Sequence, residues 1–395
     1  MNAATNPEVA ILTGGGDRPY ALGLAASLRA EGLRFEFIGS DELQSPELQG
    51  DPNVRFLNLR GDMRPDVSPP AKVWRIAKYY ARLVAYAATA RPKVFHVLWN
   101  NKLEWCDRTF LLAYYKLLGK RVVFTVHNVN IRQRDGNDSA FNRFTLGVQY
   151  RLVDHLFVHT QQMATELAKS FGVPAAKISV IPFGINNTVP DTVLTPAEAR
   201  SRLGLDPRDK VILFFGNIAR YKGLEFLVDA LPAVVAVHPQ ARLIVAGRPK
   251  GAEAYWLGIE ERIAALGLDA RVMKRIEYVP DAETEVYFKA ADLLVLPYTH
   301  VFQSGVLFLG YNFGLPAVAA DVGALREEII EGETGFVCPP VDAAALATAI
   351  NRFFTSDLFH GLPSRRPGIR AYAAERYSWA KVAAISRRVY ASDSV

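Results

Sequence analysis

A chain of 395 residues, half of them apolar, is long enough to bury two or three cores; with 22% charged residues and no low-complexity tract, it reads as neither fibre nor array. Cys106 and Cys338 stand far apart without CxxC or Cys/His spacing, which argues against a disulfide framework or structural zinc and fits a reducing cytosol. The net charge of +6 favours anionic partners without choosing among nucleotides, acidic lipids and nucleic acid.

No apolar run approaches the roughly 18 residues that span a bilayer, and the N-terminus lacks a basic region followed by an apolar signal segment. A cytoplasmic location is therefore expected. Disorder, if present, is expected at the termini and in the Pro-rich segment Arg64–Pro70.

In chain order, strand-like apolar runs at Val9–Leu12, Phe35–Ile38, Val94–Leu98, Val122–Val126, His155–His159 and Ile178–Ile181 alternate with helical patterns. Such alternation predicts α/β architecture with parallel sheets. The first strand ends in Thr13-Gly14-Gly15-Gly16-Asp17. This is not the dinucleotide fingerprint, because Pro19 stands where GxGxxG needs glycine; it is a structural tight turn or a ligand-facing loop.

The segment Lys72–Lys93 is helix-compatible, has no acidic residue and mixes Lys and Arg with Trp74, Tyr79, Tyr80 and Tyr86. It is an interfacial helix touching an anionic membrane or an ordinary helix with a solvated basic face. Farther on, Phe124-Thr125-Val126-His127-Asn128 puts His127 at the carboxyl end of a strand. A lone histidine is usually structural, but strand ends are where parallel sheets present ligands.

From Pro182 to Pro207, prolines, Gly184 and two asparagines mark a connecting segment. We place an N-terminal Rossmann-like domain at 1–186, a linker at 187–207, a second Rossmann-like domain at 208–375 and a C-terminal helix at 376–395. The helix's packing is not readable from periodicity. Strands of the second domain are expected at Val211–Phe215, Arg242–Ala246, Val272–Arg275, Leu293–Leu296, Ala317–Ala319 and Phe336–Cys338. Two such domains would face each other across a ligand cleft.

LFFGNIARYKGLEFLVDAL, from Leu213 to Leu231, combines a strand, the glycines Gly216 and Gly223, two cations and an amphipathic helix. That combination suits a phosphate: glycines admit backbone N–H groups, the helix start is partly positive, and Arg220 and Lys222 lie near. A loop kept soluble by its lysine is the alternative. At Gln303-Ser304-Gly305-Val306 another strand end meets a helix and offers a second anion cradle. Two anion sites on one domain suggest a diphosphate, with the segment Val272–Val279 placed to hold a base.

These segments together carry a resemblance. FTVHNVN, ISVIPFGI, LFFGNIARYKGL, AADLLVLPY, SGVLFLGYNFGLPAVAADVGALREEI, GETGFV and YSWAKV occur in the order seen in the retaining glycosyltransferases of family 4, which have the GT-B fold. The resemblance implies transfer of a sugar from a UDP- or GDP-sugar to a glycan or lipid-linked acceptor in polysaccharide synthesis, without metal and without nucleic acid. It implies that His127 contacts the donor sugar, that Gly14, Gly15 and Gly16 border sugar and acceptor, and that Lys222 neutralises the diphosphate. Amides of Ser304, Gly305 and Val306 would bind the phosphate oxygens, with Asn217, Arg220, Tyr278 and Gln303 also at the donor.

The sequence departs from the family at two places. Asn217 replaces the usual arginine of the phosphate loop, which Arg220 would then supply. Val301 and Leu309 stand where relatives carry two glutamates; Glu277 and Glu285 have the right spacing but fall too early and read as solvated charges. Loss of the glutamates, with Asn217 for arginine, leaves as an alternative a non-catalytic GT-B-like subunit that binds a partner transferase or a glycan; a GT-B epimerase or phosphorylase is a third reading, against which the motif order speaks.

Overall fold

The computed structural model describes residues 8–46, 48–64, 66–134, 136–184, 189–249 and 251–392. The chain divides into two compact units. One runs to Gly184 and resumes at Tyr377; the other holds the intervening chain to Arg376. The expected boundary at residues 186 and 187 lies outside the described residues.

Among the described residues, the first unit has seven strands: β1 (Val9–Leu12), β2 (Phe35–Gly39), β3 (Val54–Asn58), β4 (Val94–Val97), β5 (Arg121–Val126), β6 (His155–Val158) and β7 (Ile178–Val180). All pairs are parallel, in the order 3-2-1-4-5-6-7. Their apolar runs are continuous because helices cover both faces of such a sheet, so every position along β1, β2 and β4 is buried.

Three strands stop one residue short of expectation, yet hydrogen bonding carries on past two of them. The Leu98 N–H donates to the Leu12 carbonyl at 2.9 Å, and the Ile181 N–H to that of Val158 at 2.8 Å. Strand β3 was not anticipated. It is the sheet's edge, only Val54 of it is fully buried, and its polar positions Arg55 and Asn58 hide the pattern.

The C-terminal helix Trp379–Ala391 belongs to this unit and packs on the helix Arg18–Ala30. Trp379 fills the space left by the missing side chains of Gly23 and Gly184. Near the helix's other end, Arg121 Nη1 donates to the Val389 carbonyl at 2.7 Å, and Tyr390 Oη lies 2.6 Å from Nδ1 of the buried His96.

The second unit repeats the design with β8 (Lys210–Phe215), β9 (Ala241–Ala246), β10 (Val272–Arg275), β11 (Leu293–Leu296), β12 (Ala317–Ala320) and β13 (Gly335–Cys338). The order β10-β9-β8-β11-β12-β13 reproduces 3-2-1-4-5-6. Part of the expected linker is a helix, Pro196–Arg202, started by a Thr195/Glu198 capping box. Arg200 fixes it to the sheet through a two-pronged bond to Asp292 at 2.8 and 2.7 Å.

One reading needs correction here. Glu285 is not a solvated charge: it is buried and accepts bonds from Thr192 N–H at 2.9 Å, Thr192 Oγ1 at 2.8 Å and Lys289 Nζ at 2.8 Å. A buried carboxylate has to find such partners to offset its lost hydration. Glu277 is exposed, as expected, and pairs with Arg275 at 2.6 Å.

Candidate functional site

Each sheet reverses its strand order between its first and fourth strands, β1/β4 and β8/β11. The loops after these four strands must diverge, and the crevice they leave is where doubly wound sheets hold ligands. Most of the expected site residues fall on these loops.

In the second unit, β8 runs into Gly216, whose φ of +93° is open only to glycine. A Cβ there would lie 2.9 Å from Lys222 Nζ and 3.5 Å from Val306 Cγ2. One point therefore touches both the cation loop and the first turn of the helix Gly305–Asn312. The Lys222 ammonium is drawn inward: its residue is 5% exposed, and Nζ donates to the Phe215 carbonyl at 3.3 Å. It also sits 5.7 Å above the Tyr298 ring. Burying a lysine beside a backbone turn costs hydration, which an anionic ligand would restore.

The helix Gly305–Asn312 starts at Ser304, which is buried and extended and whose hydroxyl turns to Tyr298 Oη at 3.4 Å instead of capping the helix. No side chain caps the first amides, which leaves them directed at the crevice. Gln303 adds an Oε1 that is shielded from solvent and has no hydrogen-bond partner.

Other expected donor residues lie farther out. Asn217 and Arg220 are exposed, and the Arg220 guanidinium stacks on Tyr255 at 5.4 Å. Tyr278 is exposed beneath Arg248 at 5.4 Å. Val301 and Leu309, at the positions of the family glutamates, are both buried.

In the first unit the glycine loop meets protein before it meets any ligand. A Cβ on Gly14, whose φ is +62°, would strike the Trp99 carbonyl oxygen at 1.9 Å, and one on Gly16 would enter the Trp99 indole at 2.0 Å. A Cβ on Gly15 would lie 2.1 Å from Arg60 Nη1. The three glycines thus make room for Trp99 and Arg60, two site residues that sequence reasoning missed. The rule that pointed to His127, a polar or aromatic group just past a strand end, applies equally to Trp99 after β4.

His127 stacks flat on Trp99, with ring centres 4.1 Å apart and planes 4° off parallel, and Tyr20 meets it edge-on at 4.7 Å. Its Nδ1 is 3.1 Å from His159 Nε2, and His159 Nδ1 is 3.4 Å from the Ile181 carbonyl. Burial holds His159 down to about 4, and burial followed by His159 and His96 holds His127 well below the ordinary histidine value. Both rings are neutral at pH 7. The hydrogen-bond network assigns the tautomers. Because the Ile181 carbonyl only accepts, His159 carries its proton on Nδ1 and receives the His127 Nδ1 proton at Nε2. His127 Nε2 is shielded from solvent and has no hydrogen-bond partner.

Comparison with known proteins bears on family and fold. Residues 14–188 match the model of Glycosyltransferase Family 4, and residues 209–356 match that of Glycosyl transferases group 1. A D-inositol 3-phosphate glycosyltransferase of Rhodococcus jostii is 26% identical, over 96% of this chain and 85% of that protein. In structure the chain is similar to sucrose-phosphate synthase of Thermosynechococcus elongatus (TM-score 0.76, 21% identity, 97% of this chain and 98% of that one). It is also similar to Anabaena HepE in complex with UDP-glucose (TM-score 0.73, 18% identity, 97% and 99%). With a family model matched on each unit and these neighbours in fold, the chain belongs to the family 4 glycosyltransferases and is a transferase of GT-B fold.

Proposed function

We propose that the protein transfers a sugar from a nucleotide diphosphate donor, UDP- or GDP-linked, to a glycan or lipid-linked acceptor, with retention of configuration, in polysaccharide synthesis. The observation that carries this reading is the convergence at Gly216 of the buried Lys222 ammonium and the uncapped start of the helix Gly305–Asn312. A diphosphate there meets a full positive charge and oriented amides that need no rearrangement as charge develops on the leaving group. The leaving phosphate then takes the acceptor hydroxyl's proton itself, which accounts for a site built from cations and amides.

With Val301 and Leu309 apolar, hydroxyl recognition falls to other acceptors. Within the second unit Gln303 Oε1 is without a hydrogen-bond partner and would accept from a sugar hydroxyl. HepE was solved with UDP-glucose, which favours the UDP donor. The reading assigns no metal to the site.

Lys222→Ala is expected to lower turnover roughly a hundredfold, as loss of one strong transition-state contact does. It should also abolish the thermal stabilisation given by UDP. Unchanged activity would remove the phosphate assignment. Absence of any stabilisation of the wild-type protein by UDP, GDP or ADP would favour a binding subunit instead.

We further propose that the protein works at the cytoplasmic face of an anionic membrane. Among the described residues no helix is long and apolar enough to cross a membrane. The helix Pro69–Thr89 carries four basic residues and no acidic one, and leaves Val73 and Trp74 68% and 71% exposed. Cations beside an exposed indole suit an interfacial helix. Flotation with anionic vesicles is expected to carry the protein in low salt and to leave it behind in high salt; flotation equal on neutral vesicles would refute the charge dependence.

A further inference from the structure

A cavity of about 280 Å³ opens in the first unit between the loop that follows β3, the helix Pro69–Thr89 and the loop that follows β4. Its lining includes Arg60, Lys72, Arg75 and Lys102, together with Tyr79 and Tyr80, and among the described residues contains no carboxylate. Four cations around so small a space repel one another, and a folded chain keeps such an arrangement at a cost in stability.

Local pairing does not cancel the charge. Arg75 shares Asp62, at 3.8 Å, with Arg64, but no carboxylate of the described residues lies within ion-pair distance of Arg60, Lys72 or Lys102. The buried Asp107 behind the wall is already engaged. It accepts from Tyr80 Oη at 2.9 Å, the Asn101 N–H at 2.5 Å and Asn101 Nδ2 at 3.2 Å. Tyr79 Oη donates to Asn101 Oδ1 at 2.8 Å, so this network holds the wall of the cavity rigid.

Arg60 is the sharpest element. Its guanidinium stacks on the Tyr79 ring at 5.1 Å and reaches back against Gly15. There Nη1 is shielded from solvent and lacks a hydrogen-bond partner. A planar donor held in place with an unmet bond is built to receive an oxyanion.

We propose that this cavity binds a phosphate group carried by the acceptor. Arg60 supplies the oriented fork, and Lys72, Arg75 and Lys102 supply the charge that a dianion requires. Arg60, which lines the cavity and reaches Gly15, ties the phosphate to the acceptor. That link rests on the transferase reading above; phosphate binding itself does not. The phosphate comes from a free sugar phosphate or from a lipid phosphate, and the two sources share the same recognition chemistry.

Isothermal titration of the wild-type protein with glucose 6-phosphate and with decyl phosphate, against glucose, decanol and glucuronate as controls, tests the proposal. At least one phosphate probe is expected to bind tenfold or more tightly than every control, and the tighter of the two identifies the source. The double variant Lys72→Gln/Lys102→Gln, and separately Arg60→Lys, should weaken that probe tenfold or more while leaving stabilisation by UDP unchanged. Lys78→Gln, on the same helix but outside the cavity, should leave it unaltered.

Binding no tighter than the controls, glucuronate bound as well as the phosphates, or an equal loss in Lys78→Gln would overturn the proposal. Should UDP fail to stabilise the wild-type protein while a phosphate probe still binds here, the donor reading falls and the cavity assignment stands.

Discussion

The two units share one strand order but equip their switch points differently. At β1/β4 the crevice is walled by Trp99, Tyr20, His127 and His159, packed ring against ring around glycines that have no room for a methyl group. At β8/β11 it is walled by backbone amides and one lysine with a flexible stem. The same topology thus supports two kinds of site, one rigid and aromatic, the other built on amides and a side chain able to yield. A fold supplies the place, while the loops decide the chemistry.

Acidification should separate the units most strongly. Burial holds His96 at about 3 and His159 at about 4, against 6.5 in the unfolded chain. Between these values the unfolded state binds more protons than the folded one, so stability rises with pH there and is lost as pH falls below about 6.5. At pH 5 the two together remove roughly 4 kcal/mol from the first unit.

Glu328 of the second unit has the opposite sign. Burial raises it from 4.5 to about 7, so its ionisation opposes folding above about 4.5, and that cost shrinks as pH drops from 7 to 5. Hydrogen exchange at pH 7 and pH 5, corrected for intrinsic rates, should show protection lost first in β4, β5 and β6. Earlier loss in β8, β11 and β12 would break the comparison.

Glycine substitutions come next in size. Gly14→Ala forces a left-handed residue and drives a methyl group into the Trp99 backbone, and should cost about 3 kcal/mol or more by chemical denaturation. Gly216→Ala meets only the end of the Lys222 side chain, which can swing away, so about 1 to 2 kcal/mol is expected, mostly from the positive φ. Its larger effect should be on nucleotide affinity, because the displaced ammonium is the proposed partner of the diphosphate. Equal destabilisation by both substitutions would show that the second crevice is as rigid as the first.

The smallest effect is the most local. Trp99→Leu removes the stacked face of His127 and should cost about 1 kcal/mol beyond lost area. As water reaches the ring, the His127 titration followed by NMR should move up toward the ordinary value. An unchanged titration would place the cause of the depression elsewhere.

All twelve anticipated strands begin and end within one residue of where apolar runs suggested, because buried parallel strands need uninterrupted apolar sequence. The loops at Gly14, His127, Gly216 and Ser304 were legible for a related reason: each lies just past such a run. Edge strand β3 escaped because an edge needs only one good face. Glu285 misled because its spacing on the chain says nothing about Thr192, ninety-three positions away, whose N–H and hydroxyl bind it.

The sequence by itself determined the order of elements, the doubly wound class, the family and the residue types available to a phosphate, since all of these follow from local pattern and motif order. Only the tertiary structure decided that Trp99 covers His127, that Arg60 reaches Gly15 with an unmet donor, and that the C-terminal helix returns to the first unit. These are contacts between residues distant along the chain, and they are set by packing and by the need of each buried polar group to find a partner, neither of which is written in any local stretch.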